Sequence, residues 1–76
     1  MKTYNVCNMP DEELFFKQCE ALESHIPDLV KGKLLEDADG SKTQIYTKNG
    51  QTMRVHNSMY INALYIQSDF EIEEYF

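Results

Sequence analysis

Few side chains in this sequence have the type and spacing for chemistry. The candidates are two histidines (His25, His56), two cysteines (Cys7, Cys19), four serines and thirteen carboxylates. A zinc-type site needs nitrogen and sulfur ligands at short, paired spacings, and none of these four His and Cys residues is so placed. Asp37-Ala38-Asp39-Gly40 has the opening spacing of a calcium loop but lacks the later oxygens and the closing glutamate, so it reads as a hairpin turn. Ser24, Ser41, Ser58 and Ser68 lie in no nucleophile context, no Cys–His pair is implied by position, and no glycine-rich phosphate loop is present. Paired carboxylates working as acid and base would need a deep pocket, which a domain this small rarely has. The expectation is a protein that is not an enzyme and that uses no metal and no cofactor.

What remains is the carboxylates themselves. Thirteen acids against seven bases give a formal charge of −6. That balance argues against binding nucleic acid through a basic face and is compatible with solubility alone or with a partner that is itself basic. Nine acids lie between Asp11 and Asp39 and four between Asp69 and Glu74, while residues 40–68 have none and hold Lys42, Lys48 and Arg54. Glu20, Glu23 and Asp28, with Ser24 among them, are the candidate contacts on a helix and the turn after it. Glu71 and Glu73 are expected about 6.6 Å apart on one strand face. Together they would form an acidic ridge that imitates a phosphate backbone and enters the basic groove of a nucleic-acid enzyme. The plainer reading of the same residues is a solvated helix face plus an edge strand whose charges prevent aggregation.

The element expected to carry most of these acids is a helix over Pro10–Pro27. Proline suits the first helical position, where its missing N–H would have no partner, with Asn8 as the better cap. Asp11, Glu12 and Glu13 place negative charge in the first turn, where the helix dipole favours it. Phe15, Cys19, Leu22 and Ile26 form one apolar stripe, Leu14 widens it, and Phe16 falls to its side. Pro27 should end the helix near Ser24–His25.

Short strands are expected around this helix. Met1–Cys7 reads as an edge strand or ordered arm, and Pro27–Gly32 as a single helical turn with Leu29 and Val30 inward. Asp39-Gly40 and Asn49-Gly50 both suit two-residue hairpins. The first would set Asp37 opposite Lys42; the second would set Tyr46 opposite Met53 and Thr47 opposite Thr52. Residues 55–62 read as a connection, Ala63–Gln67 as a buried strand, and Phe70–Phe76 as a strand with Phe70, Ile72 and Phe76 on one face. The sum is one α+β domain over residues 1–76, with one main N-terminal helix on a largely antiparallel sheet of four to five strands. Cys19 should be a buried thiol, and two cysteines make no disulfide framework. With no secretory leader and no bilayer-spanning apolar run, the expected place is the cytoplasm.

Two patches, Leu22-Glu23-Ser24-His25-Ile26-Pro27-Asp28-Leu29-Val30 and Ala63-Leu64-Tyr65-Ile66-Gln67-Ser68-Asp69, resemble the phage uracil-DNA glycosylase inhibitors. Those are small acidic α+β proteins that mimic DNA. The resemblance implies that Glu23 is a phosphate mimic on an edge strand, with Ser24 beside it and Asp28 flanking. It also implies that Ala63–Ile66 is a core strand bordering an apolar pocket for a protruding leucine of the enzyme. Residues and resemblance together suggest a phage-encoded inhibitor acting in the cytoplasm of a bacterial host. Glycosylase-inhibitor, anti-CRISPR and anti-restriction types all fit this description. The alternatives are an immunity protein that neutralises a basic toxin nuclease, and a small interaction module forming a homodimer through Ala63–Phe76.

Overall fold

The computed structural model describes residues 1–75. The order is β1 (Lys2–Cys7), α1 (Glu12–His25), β2 (Val30–Glu36), β3 (Lys42–Lys48), β4 (Gln51–Ser58), β5 (Ala63–Ser68) and a closing 3-10 turn (Glu73–Tyr75). The strands form one antiparallel sheet in the order β1-β5-β4-β3-β2, and α1 crosses one of its faces between the two edge strands. The fold is α+β: one helix on a five-stranded sheet.

The helix starts two residues later than its proline suggests. Asp11 is the N-cap, its carboxylate accepting the Leu14 N–H at 3.0 Å, and Pro10 stands outside. Asn8, the expected cap, instead accepts a hydrogen bond from Asn5. The Asp11 N–H donates to Asn57 Oδ1 on β4 at 2.9 Å, so the cap also ties the helix to the sheet. At the other end Ile26 leaves helical geometry just before Pro27, as steric restriction ahead of proline requires. The apolar stripe is as the spacing predicts: Phe15, Cys19, Leu22 and Ile26 are all buried, while Phe16 is exposed and meets the Phe15 ring edge-on. They pack on Tyr46, Met53, Val55, Leu64 and Ile66, with Ile72 from the C-terminal segment closing the core. Burial raises the pKa of the Cys19 thiol, and both cysteines are free.

Several local expectations fail. Pro27–Gly32 is not a helical turn: Asp28 takes a left-handed conformation (φ 60°) that reverses the chain, and Val30 begins β2 with its side chain exposed. The Asp39-Gly40 hairpin is one residue longer than two, because Asp37 pairs with Ser41 and left-handed Gly40 closes a three-residue loop. Lys42 therefore stands opposite Glu36, not Asp37. Residues 55–58 continue β4, since Val55 and Asn57 keep the inward alternation of Met53, and the turn to β5 begins only at Met59.

Phe70–Tyr75 forms no strand. β5 already has β4 on one side and β1 on the other, so a following strand finds no free edge beside it. The Ser68 hydroxyl bonds the Phe70 carbonyl at 2.6 Å and turns the chain away, leaving Ile72 to insert into the core. Phe76 lies outside the described residues. The Asn49-Gly50 turn behaves as predicted, with φ of 51° and 81° and Tyr46 opposite Met53.

Both edge strands break register. β1 shifts between Asn5 and Cys7, and β2 between Lys31 and Leu34. At the second break the buried Gln44 amide donates to the carbonyls of Gly32 and Lys33, satisfying groups the ladder leaves unpaired. Gly32 is required there, since a Cβ would lie 2.9 Å from the Ile45 carbonyl oxygen.

Candidate functional site

The acid-free stretch of the chain becomes the three central strands, and the acids become their surroundings. Among the described residues Glu36 is the only carboxylate within a strand, and its pairing with Lys42 puts it on the helix side. The face turned away from the helix carries Ile45, Arg54, His56, Tyr65 and Gln67, which alternate with the buried Tyr46, Val55, Leu64 and Ile66.

The predicted contact residues fall into two groups. Glu20, Glu23 and Ser24 are exposed on the C-terminal half of α1, and Asp28 follows in the left-handed turn. Glu23 is also a structural residue: its carboxylate accepts the hydroxyl of fully buried Tyr46 at 2.6 Å and lies 3.6 Å from Lys31 Nζ. Burial, reinforced by this bond, holds the Tyr46 hydroxyl firmly protonated. Glu20 makes no ion pair among the described residues. Glu71 and Glu73 lie in the second group and share no strand face; both converge on Lys2 Nζ, at 2.9 and 3.4 Å. Lys2, Ser68, Met53, Tyr46 and Lys31 make one cross-strand row. The lysines that anchor them, Lys2 on β1 and Lys31 on β2, therefore stand at one end of the sheet on its opposite edges, about 19 Å apart, four strand spacings.

Glu74, absent from the sequence-based set, bridges part of that gap. The half-buried Tyr75 hydroxyl has its pKa raised first by burial and then by the Glu74 and Asp28 carboxylates, which places all three together. Lys48 lies beside them, donating to the Pro27 carbonyl at 2.8 Å with its Nζ 5.9 Å from the Tyr75 ring centre. At the far end of α1, Glu12 pairs with Lys42 at 2.8 Å and Glu13 with Lys17 at 3.2 Å. Glu23-Ser24 lies in the last turn of the helix and not on an edge strand, so that part of the implied inhibitor geometry is corrected. Ala63–Ile66 does lie in a strand at the centre of the sheet, between β1 and β4.

A cavity of about 280 Å3 opens at the other end of the exposed sheet face, where the β2–β3 hairpin meets the β4–β5 turn. Asp37, Asp39, Thr43, His56, Tyr60 and Tyr65 line it. His56 and Tyr65 are cross-strand partners with rings stacked 4.8 Å apart. His56 Nε2 faces the Gln67 amide oxygen at 3.1 Å, so it carries the proton and donates; Nδ1 accepts from the Thr43 hydroxyl at 3.0 Å. A hydroxyl, an imidazole and a third group in line have the outline of a nucleophile relay. Here the third group is a neutral amide, which gives an imidazolium no charge partner. Burial, aided by Arg54, also lowers the His56 pKa despite the opposing Gln67 bond. The arrangement fixes a ring more readily than it moves a proton. Among the described residues no three of His, Cys, Asp and Glu converge to hold a metal, and no helix is long and apolar enough to cross a membrane.

These features define a one-helix α+β protein with carboxylates on its helix, its ends and its edge hairpin, and none on the strands of its exposed sheet face. Comparison with family models, with curated proteins and with solved structures gives no match.

Proposed function

We propose that this chain is a small non-enzymatic inhibitor that occupies the basic groove of a nucleic-acid-processing protein, its carboxylates standing where phosphates would. The observation that carries this reading is the segregation of charge: no strand places a carboxylate on the exposed sheet face, whereas the helix side offers Glu20, Asp28 and Glu74 without ion pairs among the described residues. Attraction between such a surface and a basic groove speeds association and weakens with salt. Glu20, Ser24 and Asp28 are the contacts best placed for it. Glu23 contributes while holding Tyr46, and Glu71 and Glu73 act with their charge partly offset by Lys2. Glycosylase-inhibitor, anti-CRISPR and anti-restriction proteins are the types of activity this mechanism covers, with a phage origin and action in the bacterial cytoplasm as part of the proposal. A homodimer through β5 is disfavoured, because both edges of that strand are already paired.

The test is capture from the natural host's lysate on immobilised protein, eluted with a salt gradient and then with duplex DNA. The expected partner is a nucleic-acid enzyme that leaves at raised salt and is displaced by DNA. A triple variant, Glu20→Gln with Asp28→Asn and Glu74→Gln, should lose capture yet stay folded, since asparagine tolerates the left-handed turn. Retention that ignores salt and DNA, or survives in the folded variant, overturns the reading.

A further inference from the structure

The cavity on the exposed sheet face has a chemistry of its own. Its walls come from two connections: Asp37 and Asp39 from the β2–β3 hairpin, Tyr60 from the β4–β5 turn. Register places Thr43, His56 and Tyr65 in one row between them. Tyr60 is 90% exposed, flanked by exposed Met59 and Ile61. Apolar and aromatic groups gathered at a turn tip beside a concavity are the features of a docking hot spot.

Charge specifies what would dock. Neither Asp37 nor Asp39 makes an ion pair among the described residues. The Ser41 N–H donates to Asp39 at 2.9 Å, which lowers that carboxyl's pKa and keeps it ionised at neutral pH. His56 is neutral there, and Lys42, whose residue also borders the cavity, spends its ammonium on Glu12 across the sheet. The space is thus negative and aromatic, with no internal cation to neutralise it. At about 280 Å3 it falls just under the usual range for small-molecule pockets, roughly 300–1,000 Å3, and suits a single long side chain.

We infer that this cavity receives an arginine side chain of a protein partner, its guanidinium stacked against Tyr60 and Tyr65 and hydrogen-bonded by Asp37 and Asp39. Guanidinium is favoured over ammonium because it is planar, less strongly hydrated, able to stack on aromatic faces and matched to carboxylates by its fork of donors. The inference rests on the reading of a basic partner but concerns a different surface from the helix carboxylates.

Titration of the 15N-labelled protein with N-acetyl-arginine amide, followed by NMR, tests it. Saturable shift changes should appear at residues 37–43, 56–60 and 65, weaker with the lysine analogue and absent with the citrulline analogue. Tyr60→Ala and Asp37→Asn, both at exposed positions outside the core, should each weaken binding about two- to fivefold. Equal response to lysine or citrulline, tighter binding of free arginine than of the capped amide, or shifts spread evenly over Glu20, Asp28 and Glu74 overturn the assignment. If the titration fails while salt-sensitive capture persists, the cavity assignment alone falls. If arginine binds here and no salt-sensitive partner is captured, the groove-blocking reading falls.

Discussion

Replacing Glu23 by alanine takes away the acceptor of the Tyr46 hydroxyl, which stands 2.6 Å from the carboxylate on a ring with no exposed surface. A buried donor left without a partner costs about 1–3 kcal/mol. The Glu23 side chain is itself 37% exposed and the Cys19 sulfur also interacts with the Tyr46 hydroxyl, so water or sulfur can take the vacated place and the lower part of that range, about 1–2 kcal/mol, applies. A domain of 76 residues has a total stability on the order of 4–11 kcal/mol. Each kcal/mol lost lowers Tm by about 4–8 °C at this size. Tyr46→Phe removes the hydroxyl together with its need for a partner and should cost about 1 kcal/mol. Adding Glu23→Ala to that background should then cost little more, giving a coupling of about 1 kcal/mol between the two sites. Thermal and urea unfolding of the four proteins measures it. Effects that add to within about 0.3–0.5 kcal/mol would refute the linkage. The result bears on function, because a Glu23 variant that loses a partner has to be shown folded, whereas Glu20 is free of this complication.

Asp11→Ala should destabilise by about 0.5–2 kcal/mol through loss of the cap to Leu14, measured by urea midpoint, and Asn8→Ala by clearly less. Ile72→Ala should cost about 2–5 kcal/mol and speed proteolysis within residues 69–75, since this side chain anchors that segment in the core. The lowered pKa of His56 means that the unfolded chain binds its proton more tightly than the folded one. The stability this group contributes is therefore complete above about pH 6.5 and declines as pH falls toward the folded value. Urea midpoints at pH 5.5 and 7.5 should show that decline in the parent protein and a smaller one in His56→Gln; an equal decline in both counts against it.

The helix and the central hairpin could be read from residue types because their causes are local. The stripe from Phe15 to Ile26 sets which face is buried, Pro27 sets where it stops, and Asn49-Gly50 sets the register of β3 on β4. Where the reading failed, the deciding partner lay far along the chain. Phe70 and Ile72 alternate as a strand does, yet whether they pair depends on β1 having taken the edge of β5. Asn57 looked like a loop residue because its inward position is justified only by the Asp11 N–H it receives. The helix-borne acids Glu20 and Glu23 were legible as a group, but their separation from Glu71 and Glu73 was not, since it depends on strand order. The arginine-sized cavity left one local sign, the solvent-facing run Met59-Tyr60-Ile61; its opposite wall, Asp37 and Asp39, is brought near only by the fold.

The register breaks in β1 and β2 have a consequence for life at high concentration. A sheet with two open edge strands is at risk of joining copies side by side into a growing ribbon, a process that needs a straight outer strand as template. Here both margins break register, and the break in β2 begins at Lys31 and contains Lys33. The molecule can thus keep one sheet surface uncovered by its own helix while offering its own copies no straight margin to zip along.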